Sequence, residues 1–337
     1  MSSRQQKHKT KTPSAARTME DLARLAGVSK ITVSRALRDG GVVNPATRER
    51  VRALALKHGY KFNVSARNLR LRQSHTVAVI VEMNPDANRP MSDPYPLELL
   101  GGLLQELTST RYSALLTTRS DADAPAVQAA DAVVLLGQGP HHDAVRMFDK
   151  LPLPMVVWGA PGGGDQHVTV GSDNRHGGAS VAERFIKIGR RHPLFLGDID
   201  HREIAERYAG FAATLKTHSI ATSAMRLGAF TAASGFEAVQ ILAKKKAHFD
   251  AIFACNDLVA MGAIRALIEL GRRVPEDVSV IGYDDTPIGA AFIPPLSSVQ
   301  QNWREGGMLL ARKALALVRG ESVESELLPT QFVLRST

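Results

Sequence analysis

Thr18-Met19-Glu20-Asp21-Leu22-Ala23-Arg24-Leu25-Ala26-Gly27-Val28-Ser29-Lys30-Ile31-Thr32-Val33-Ser34-Arg35-Ala36-Leu37 holds two helix starts separated by one helix stop. Thr18 with Asp21 three residues on is a capping-box start, and Leu22, Ala23, Leu25 and Ala26 offer the following helix an apolar face. Gly27 ends that helix, being the residue type that takes the left-handed conformation at least steric cost. Val28 is read as a core plug, and Ser29 caps a second helix in which Val33, Ala36 and Leu37 face inward. Lys30, Ile31, Ser34 and Arg35 are left outside. Asp39-Gly40-Gly41 then breaks the chain, Asn44-Pro45 supplies an N-cap and a proline at the first helical position, and a third helix runs to about His58, stopped by Gly59. Two short helices joined by a glycine-containing turn, the second offering polar side chains from its start, follow the helix-turn-helix plan for docking in a DNA major groove.

The chain of 337 residues has a formal net charge of +9, and its placement says more than its size. Residues 1–75 hold 17 Lys/Arg against 4 Asp/Glu, whereas residues 76–337 hold 25 against 29. The basic surplus therefore belongs to the first quarter, the electrostatic footprint of a segment that neutralises phosphates and releases their counterions. A three-helix bundle with no DNA role would account for the helices but not for this coincidence. Residues 1–17 lack apolar periodicity and read as a disordered basic tail.

Ala23-Arg24-Leu25-Ala26-Gly27-Val28-Ser29, Thr32-Val33-Ser34-Arg35-Ala36-Leu37, and Val51 through Gly59-Tyr60 to Asn63 resemble the headpiece of the lactose-repressor (LacI/GalR) family, and the resemblance covers residues 18–337. It implies a DNA-binding domain over residues 18–62. By that resemblance Lys30, Ile31 and Arg35 read bases, while Ser29, Thr32, Ser34 and Asn44 position the phosphate backbone. Arg35 can bond a guanine with both arms of its fork, and Ile31 can offer only apolar contact, for instance to a thymine methyl. Residues 63–72 are helix-compatible but too short for a stable helix alone in water. The resemblance makes residues 63–74 a hinge, helical only on the operator, in which Asn63 and Leu69 touch DNA; two copies lie in the minor groove and each wedges its Leu69 into the central base step.

From Thr76 onward short apolar runs alternate with helical stretches. Val77–Met83, Ser113–Thr117, Ala132–Leu136, Met155–Trp158, Val168–Val170, Leu194–Gly197, Ala251–Cys255 and Val278–Gly282 read as buried parallel strands. Leu97–Thr110, Gly177–Ile188, Tyr208–Thr217, Gly235–Leu242 and Leu258–Leu270 read as helices. The fold class is α/β: an all-α headpiece followed by a doubly wound core, residues 75–337, in two similar lobes. The expected N-lobe is about 75–172 plus 303–327, and the C-lobe about 173–302 plus 328–337. Ligands in such folds lie at the carboxyl ends of strands, here in the cleft between lobes.

Ala254-Cys255-Asn256-Asp257, residues 274–286 and Ile293-Pro294-Pro295-Leu296 look like the effector domains of the same family, which share the fold of periplasmic sugar-binding proteins. Carried over by position, Arg207, Asn256 and Asp284 form a polar clamp and Phe230, Trp303 and Tyr95 apolar or stacking walls. Glu203 and Trp158 fall at strand ends or in the loops after them. Carboxylate, amide and guanidinium can satisfy sugar hydroxyls while an aromatic face covers the less polar side of the ring. Each residue also has a plainer use. Arg207 could pair with Glu203 or Glu206 on its own helix, Asn256 and Asp257 could cap the next helix, and Asp284-Asp285 could form a turn. Two stretches depart from the family pattern: Asn84–Ser92 is a longer loop than usual, and Arg119–Ala130 is shorter than the helix expected there.

A single cysteine, Cys255, excludes an intrachain disulfide and suits a reducing compartment, and no C-x-x-C or H-E-x-x-H spacing offers zinc. Gly162-Gly163-Gly164 lacks the Lys-Ser/Thr that a phosphate loop requires and reads as a flexible connector, and His141-His142 as a solvated pair. No catalytic arrangement, metal site or cofactor motif is read, so an enzyme is not expected. Met1–Thr18 is polar and basic without the apolar segment of an export signal, and no apolar run approaches the roughly 20 residues of a membrane helix. The expectation is a cytoplasmic, nucleoid-associated homodimer on a pseudo-palindromic double-stranded DNA operator, repressing carbohydrate-utilisation genes under control of a small sugar. No heptads follow Gln331–Leu334, so tetramerisation by a C-terminal coiled coil is not expected. The same architecture could sense a non-sugar metabolite or depend on a co-repressor. A transport-type sugar-binding protein would explain the core but needs an export signal, and an architectural DNA protein would leave the cleft residues idle.

Overall fold

Helix α1 (Met19–Ala26) begins where the capping box places it: the Thr18 hydroxyl accepts from the Asp21 amide at 3.1 Å, and the Asp21 carboxylate accepts from the Thr18 amide at 3.2 Å. Gly27 follows at φ 62°, and α2 (Lys30–Ala36) starts on Ser29, whose hydroxyl accepts from the Thr32 amide at 3.1 Å. Asn44 caps α3 (Pro45–Lys57) by accepting from the Ala46 amide at 2.9 Å. Leu22, Ala23, Ala26, Val33, Ala36, Val51 and Ala55 form the core of this unit. Leu25 does not join the face expected of it and is 45 % exposed. It lies about 110° round the helix from the mean direction of Leu22, Ala23 and Ala26, at 100° per residue.

The computed structural model describes residues 18–37, 43–60, 73–82, 94–162 and 164–337. The chain divides into two compact units, residues 1–72 and 73–337. Asn63, Leu69, the rest of the expected hinge up to residue 72, the basic tail and the long loop of residues 84–92 lie outside the described residues.

In the second unit β1 (Thr76–Val81), β2 (Ser113–Thr118), β3 (Ala132–Leu136), β4 (Met155–Trp158) and β5 (Val168–Ser172) join β11 (Glu326–Leu328) in a parallel sheet ordered β11-β5-β4-β3-β1-β2. A second parallel sheet, β7-β6-β8-β9, is built from β6 (Pro193–Leu196), β7 (Ser223–Met225), β8 (Ala251–Ala254) and β9 (Ser279–Ile281). The strand β10 (Ser298–Gln300) pairs antiparallel with β12 (Gln331–Val333). The apolar runs are unbroken because both faces of the first sheet are covered. Val77, Val79 and Val81 of β1 pack in one cluster, and Ala78 and Ile80 in another, the alternation a pleated strand imposes.

Between β1 and β2 lies α4 (Pro94–Leu107). The shortened segment before β3 folds as a 3-10 turn, Arg119–Asp121, and the single-turn α5 (Pro125–Gln128), with α6 (Asp143–Phe148) following β3. Next come α7 (Asn174–Lys187), α8 (Arg202–Thr217), α9 (Ala232–Lys244), α10 (Asp257–Glu269), α11 (Pro287–Ala290) and α12 (Trp303–Val318). The helices pack in pairs, α4 with α12, α7 with α8 and α9 with α10. The α7–α8 crossing is close: a Cβ on Gly178 would stand 1.9 Å from the Arg207 carbonyl oxygen, so only glycine fits.

The chain passes between the two sheets near residues 172–174, 282–303 and 328–331. These crossings are tied to one another. The Asp173 amide donates to Leu328 O at 2.8 Å, the Thr330 hydroxyl to Asp173 O at 3.2 Å, and the Asp284 amide to Val299 O at 2.7 Å. Asp257 adds a buried brace, its carboxylate accepting from the Thr286 amide and hydroxyl at 2.6 and 2.8 Å and from the Ser298 hydroxyl at 2.6 Å. Burial pushes this carboxyl up to about 6, against the pull of those donors.

Candidate functional site

The headpiece presents its second helix as the sequence pattern requires. Ile31 is 64 % exposed, while Val33 and Ala36 on the opposite face are fully buried. Lys30 and Arg35 are also exposed, Thr32 and Ser34 half-buried, and Ser29 and Asn44 exposed at the first residue before α2 and α3. The Lys30 ammonium lies 2.7 Å from the Glu20 carboxylate, an exposed pair that an incoming phosphate can replace at small cost. Ser29 and Asn44 already use their side-chain oxygens as helix caps, which places them beside backbone amides at helix N-termini, where phosphate oxygens are favoured.

In the second unit a cleft opens at the carboxyl ends of strands from both sheets. Its walls include Tyr95, Trp158, Glu203, Arg207, Phe230, Asn256 and Asp284. Each wall residue is set by its place in an element. Trp158 ends β4, Asn256 follows β8, and Arg207 stands on the second turn of α8 where that helix crosses α7.

Arg207 is 7 % exposed and held from three sides. Its Nε donates to Asn174 Oδ1 at 2.8 Å, its Nη1 to Cys255 O at 2.6 Å, and the guanidinium lies 3.8 Å from the centre of the Tyr283 ring. Tyr283, fully buried, donates to the same Asn174 oxygen at 3.2 Å, and burial raises its hydroxyl well above the usual phenol range. Asn256 accepts from the Val259 amide at 2.8 Å as the cap of α10 and donates to Phe230 O at 3.1 Å, so it fixes a wall residue as well as lining the cleft. Asp284 adopts φ 117°, a conformation L-residues rarely take, and accepts from Gln301 Nε2 at 2.7 Å. Glu203 Oε2 is buried, with no hydrogen-bond partner among the described residues.

Several expectations need correction. Trp303 does not line the cleft: it is 6 % exposed in the first-sheet core and meets Tyr95 edge-on at 5.9 Å, so it backs the aromatic wall. Glu203 belongs to the first turn of α8, not to a strand end or loop. Arg207 pairs with neither Glu203 nor Glu206, its nearest acids in sequence; Glu206 bonds Arg175 instead. His142 is half-buried rather than freely solvated, and burial lowers the ring's proton affinity. Asn174, Ser172, Ile204 and Gln301 also line the cleft and were not singled out from sequence. Asn174 carries a legible signal, being a polar residue just past a strand end, as Asn256 is. Gln301 follows a short strand that lacks an apolar run.

Among the described residues no group of three or more His, Cys, Asp or Glu could hold a metal ion. No helix among them is long and apolar enough to cross a membrane.

A helical headpiece with an exposed, basic second helix, and a two-lobed α/β core with a polar-aromatic cleft, together define an effector-responsive DNA-binding regulator. Comparison with known proteins agrees. Residues 18–63 match the model of bacterial regulatory proteins of the lacI family, and residues 182–337 that of the periplasmic binding protein-like domain. The HTH-type transcriptional regulator CelR of Thermobifida fusca is 33 % identical over 331 residues, covering 95 % of this chain and 96 % of the relative. The ribose operon repressor of Escherichia coli K12 is 29 % identical, covering 87 % and 90 %. Among solved structures, the Lac repressor dimer bound to operator and the anti-inducer ONPF aligns with a TM-score of 0.82 at 26 % identity, over 95 % of this chain and 98 % of that one. A CelR–cellobiose complex aligns with a TM-score of 0.70 at 31 % identity, over 95 % and 99 %. The chain belongs to the lacI family of bacterial transcriptional regulators and is not an enzyme.

Proposed function

We propose that this regulator is a homodimeric repressor of carbohydrate-utilisation genes, acting in the cytoplasm at the nucleoid, whose operator binding is set by a sugar in the core cleft. The observation that carries the sugar reading is Glu203 Oε2, a buried acceptor with no donor among the described residues, in a wall shared with Arg207, Asp284 and the aromatic residues Trp158, Tyr95 and Phe230. An unpaired buried acceptor costs about 1–3 kcal/mol, which a ligand hydroxyl would relieve. Relatives that hold cellobiose or are named for the ribose operon support the same class of ligand.

In this reading Lys30, Ile31 and Arg35 touch base edges and Ser29, Thr32, Ser34 and Asn44 the phosphates, with Asn63 and Leu69 contributing from the hinge. Residues 18–62 bind DNA, residues 63–74 connect, and residues 75–337 sense and dimerise. A two-fold dimer on a pseudo-palindromic site doubles the few base contacts one headpiece can make. The sugar shifts the lobe equilibrium only to the extent that it prefers one arrangement.

A thermal-shift panel of mono- and disaccharides on the full chain, with cellobiose and ribose included, tests the ligand class. At least one sugar is expected to raise the midpoint by several degrees, and Glu203→Gln to reduce that rise. A panel with no responding sugar, alongside a responding non-sugar metabolite, would replace the sugar reading with the metabolite one.

A further inference from the structure

The glycine-rich connector after β4, in the first lobe, and the start of α8, in the second, meet between the lobes. Asp165, between β4 and β5, lies 2.8 Å through its Oδ2 from Arg202 Nη1, and the same oxygen accepts from the Gly162 amide at 2.7 Å. Arg202 is the first residue of α8, the helix that carries Glu203, Ile204 and Arg207 into the cleft. Its guanidinium lies against the connector backbone, for a Cβ on Gly162 would stand 2.0 Å from Nη1. The pair is partly sheltered, at 29 % and 16 % side-chain exposure.

The connector is itself fixed. Gln138, just past β3 and fully buried, accepts from the Ala160 amide at 2.9 Å and donates to Ala160 O at 3.1 Å, prolonging the contact between β3 and β4 toward Gly162. A second link joins the lobes: the His141 amide donates to Asp200 O at 2.9 Å, and the His141 ring approaches the Asp200 carboxylate at 3.5 Å. Arg226, at the end of the second sheet's edge strand β7, holds Asp198 at 3.2 Å and also pairs with Asp200. The loop of residues 198–202 is thus gripped by two loops of the first lobe.

We propose that Asp165 and Arg202 are positioning residues of the effector cleft, an ion pair joining the two lobes that holds the first turn of α8, and with it Glu203 and Arg207, in the arrangement that binds the effector. The effect on ligand affinity rests on the function proposed above; the effect on lobe apposition does not. When fewer molecules hold the competent arrangement, apparent affinity falls in proportion to that fraction.

The test is hydrogen exchange at the His141 amide in the full, effector-free chain, because that amide donates from one lobe to the other and belongs to neither partner. Asp165→Ala and Arg202→Ala are each expected to speed its exchange about fivefold, in keeping with a partly sheltered ion pair. The double exchange Asp165→Arg with Arg202→Asp is expected to return it to within about twofold of the original, which also guards against misfolding of either single variant. Exchange at the original rate in both single variants, or a double variant as fast as the singles, overturns the assignment. In calorimetry with whichever sugar binds the original chain, the single variants are expected to weaken binding by a similar factor and the double variant to restore it. Should no sugar bind the original chain, the sugar reading fails, and the exchange rates alone still decide whether the pair joins the lobes.

Discussion

Arg35→Ala is expected to remove most of the chain's specific operator affinity while leaving nonspecific DNA binding nearly intact. Arg35 is exposed on α2, one turn on from Ile31, and its loss opens no cavity because the core of the headpiece is made by Leu22, Val33, Ala36 and Val51. A bidentate arginine–guanine contact supplies about 1–3 kcal/mol of discrimination, and a two-fold dimer makes it twice, so specific affinity should fall by roughly 30-fold or more. On scrambled DNA the same substitution removes one positive charge per subunit, a smaller effect that salt screens. Gel-shift titrations at one salt concentration, on an operator selected from random duplexes and on its scrambled form, separate the two. Equal losses on both duplexes would make Arg35 a backbone contact.

Asp284→Asn is expected to remove most of the effector response at concentrations that saturate the original chain and to spare operator binding. The substitution suits the backbone, because asparagine is among the few residues that tolerate positive φ and its Oδ1 can still accept from Gln301. What it removes is the charged acceptor facing the cleft. Hydrogen bonds to charged groups are worth about 1.5–3 kcal/mol, so effector affinity should fall roughly 10- to 100-fold, as calorimetry would register. Operator affinity without effector should stay within about twofold. Loss of operator binding with effector affinity preserved would move Asp284 from the clamp to the hinge.

The headpiece was the most legible part of the sequence because its signals are local. Thr18, Gly27, Ser29, Asn44 and Gly59 each act within one turn of themselves, and all five stand where those signals put them. The core strands were legible for a different reason: both faces of the first sheet are covered, so runs such as residues 132–136 are apolar throughout. β7, β10 and β11 are three residues long and lack the apolar run that made β9, equally short, legible. In α12 a Gly306-Gly307 pair weakens the helical signal, yet packing demands it, since a Cβ on Gly307 would stand 2.0 Å from Leu99 O.

The cleft was legible only as far as residue type and position reach. Arg207, Asn256 and Asp284 do line one cleft, but how each is held depends on partners far away in sequence, Asn174 and Cys255 for Arg207 and Gln301 for Asp284. Trp303 shows the limit. An aromatic residue opening a helix beside a ligand site can face the site or back its wall, and the choice is made by Tyr95, more than two hundred positions earlier.

In the proposed function a ligand in the core cleft and an operator at the headpiece are coupled through a single chain. Coupling between two binding equilibria is reciprocal. Fluorescence anisotropy with labelled operator, with and without saturating effector, gives one coupling factor; calorimetry of effector binding to free and operator-bound protein gives the other. The two factors are expected to be equal and at least about tenfold, with Asp284→Asn bringing the operator titration with and without sugar back together. An operator affinity unchanged by a sugar that demonstrably fills the cleft would contradict the account.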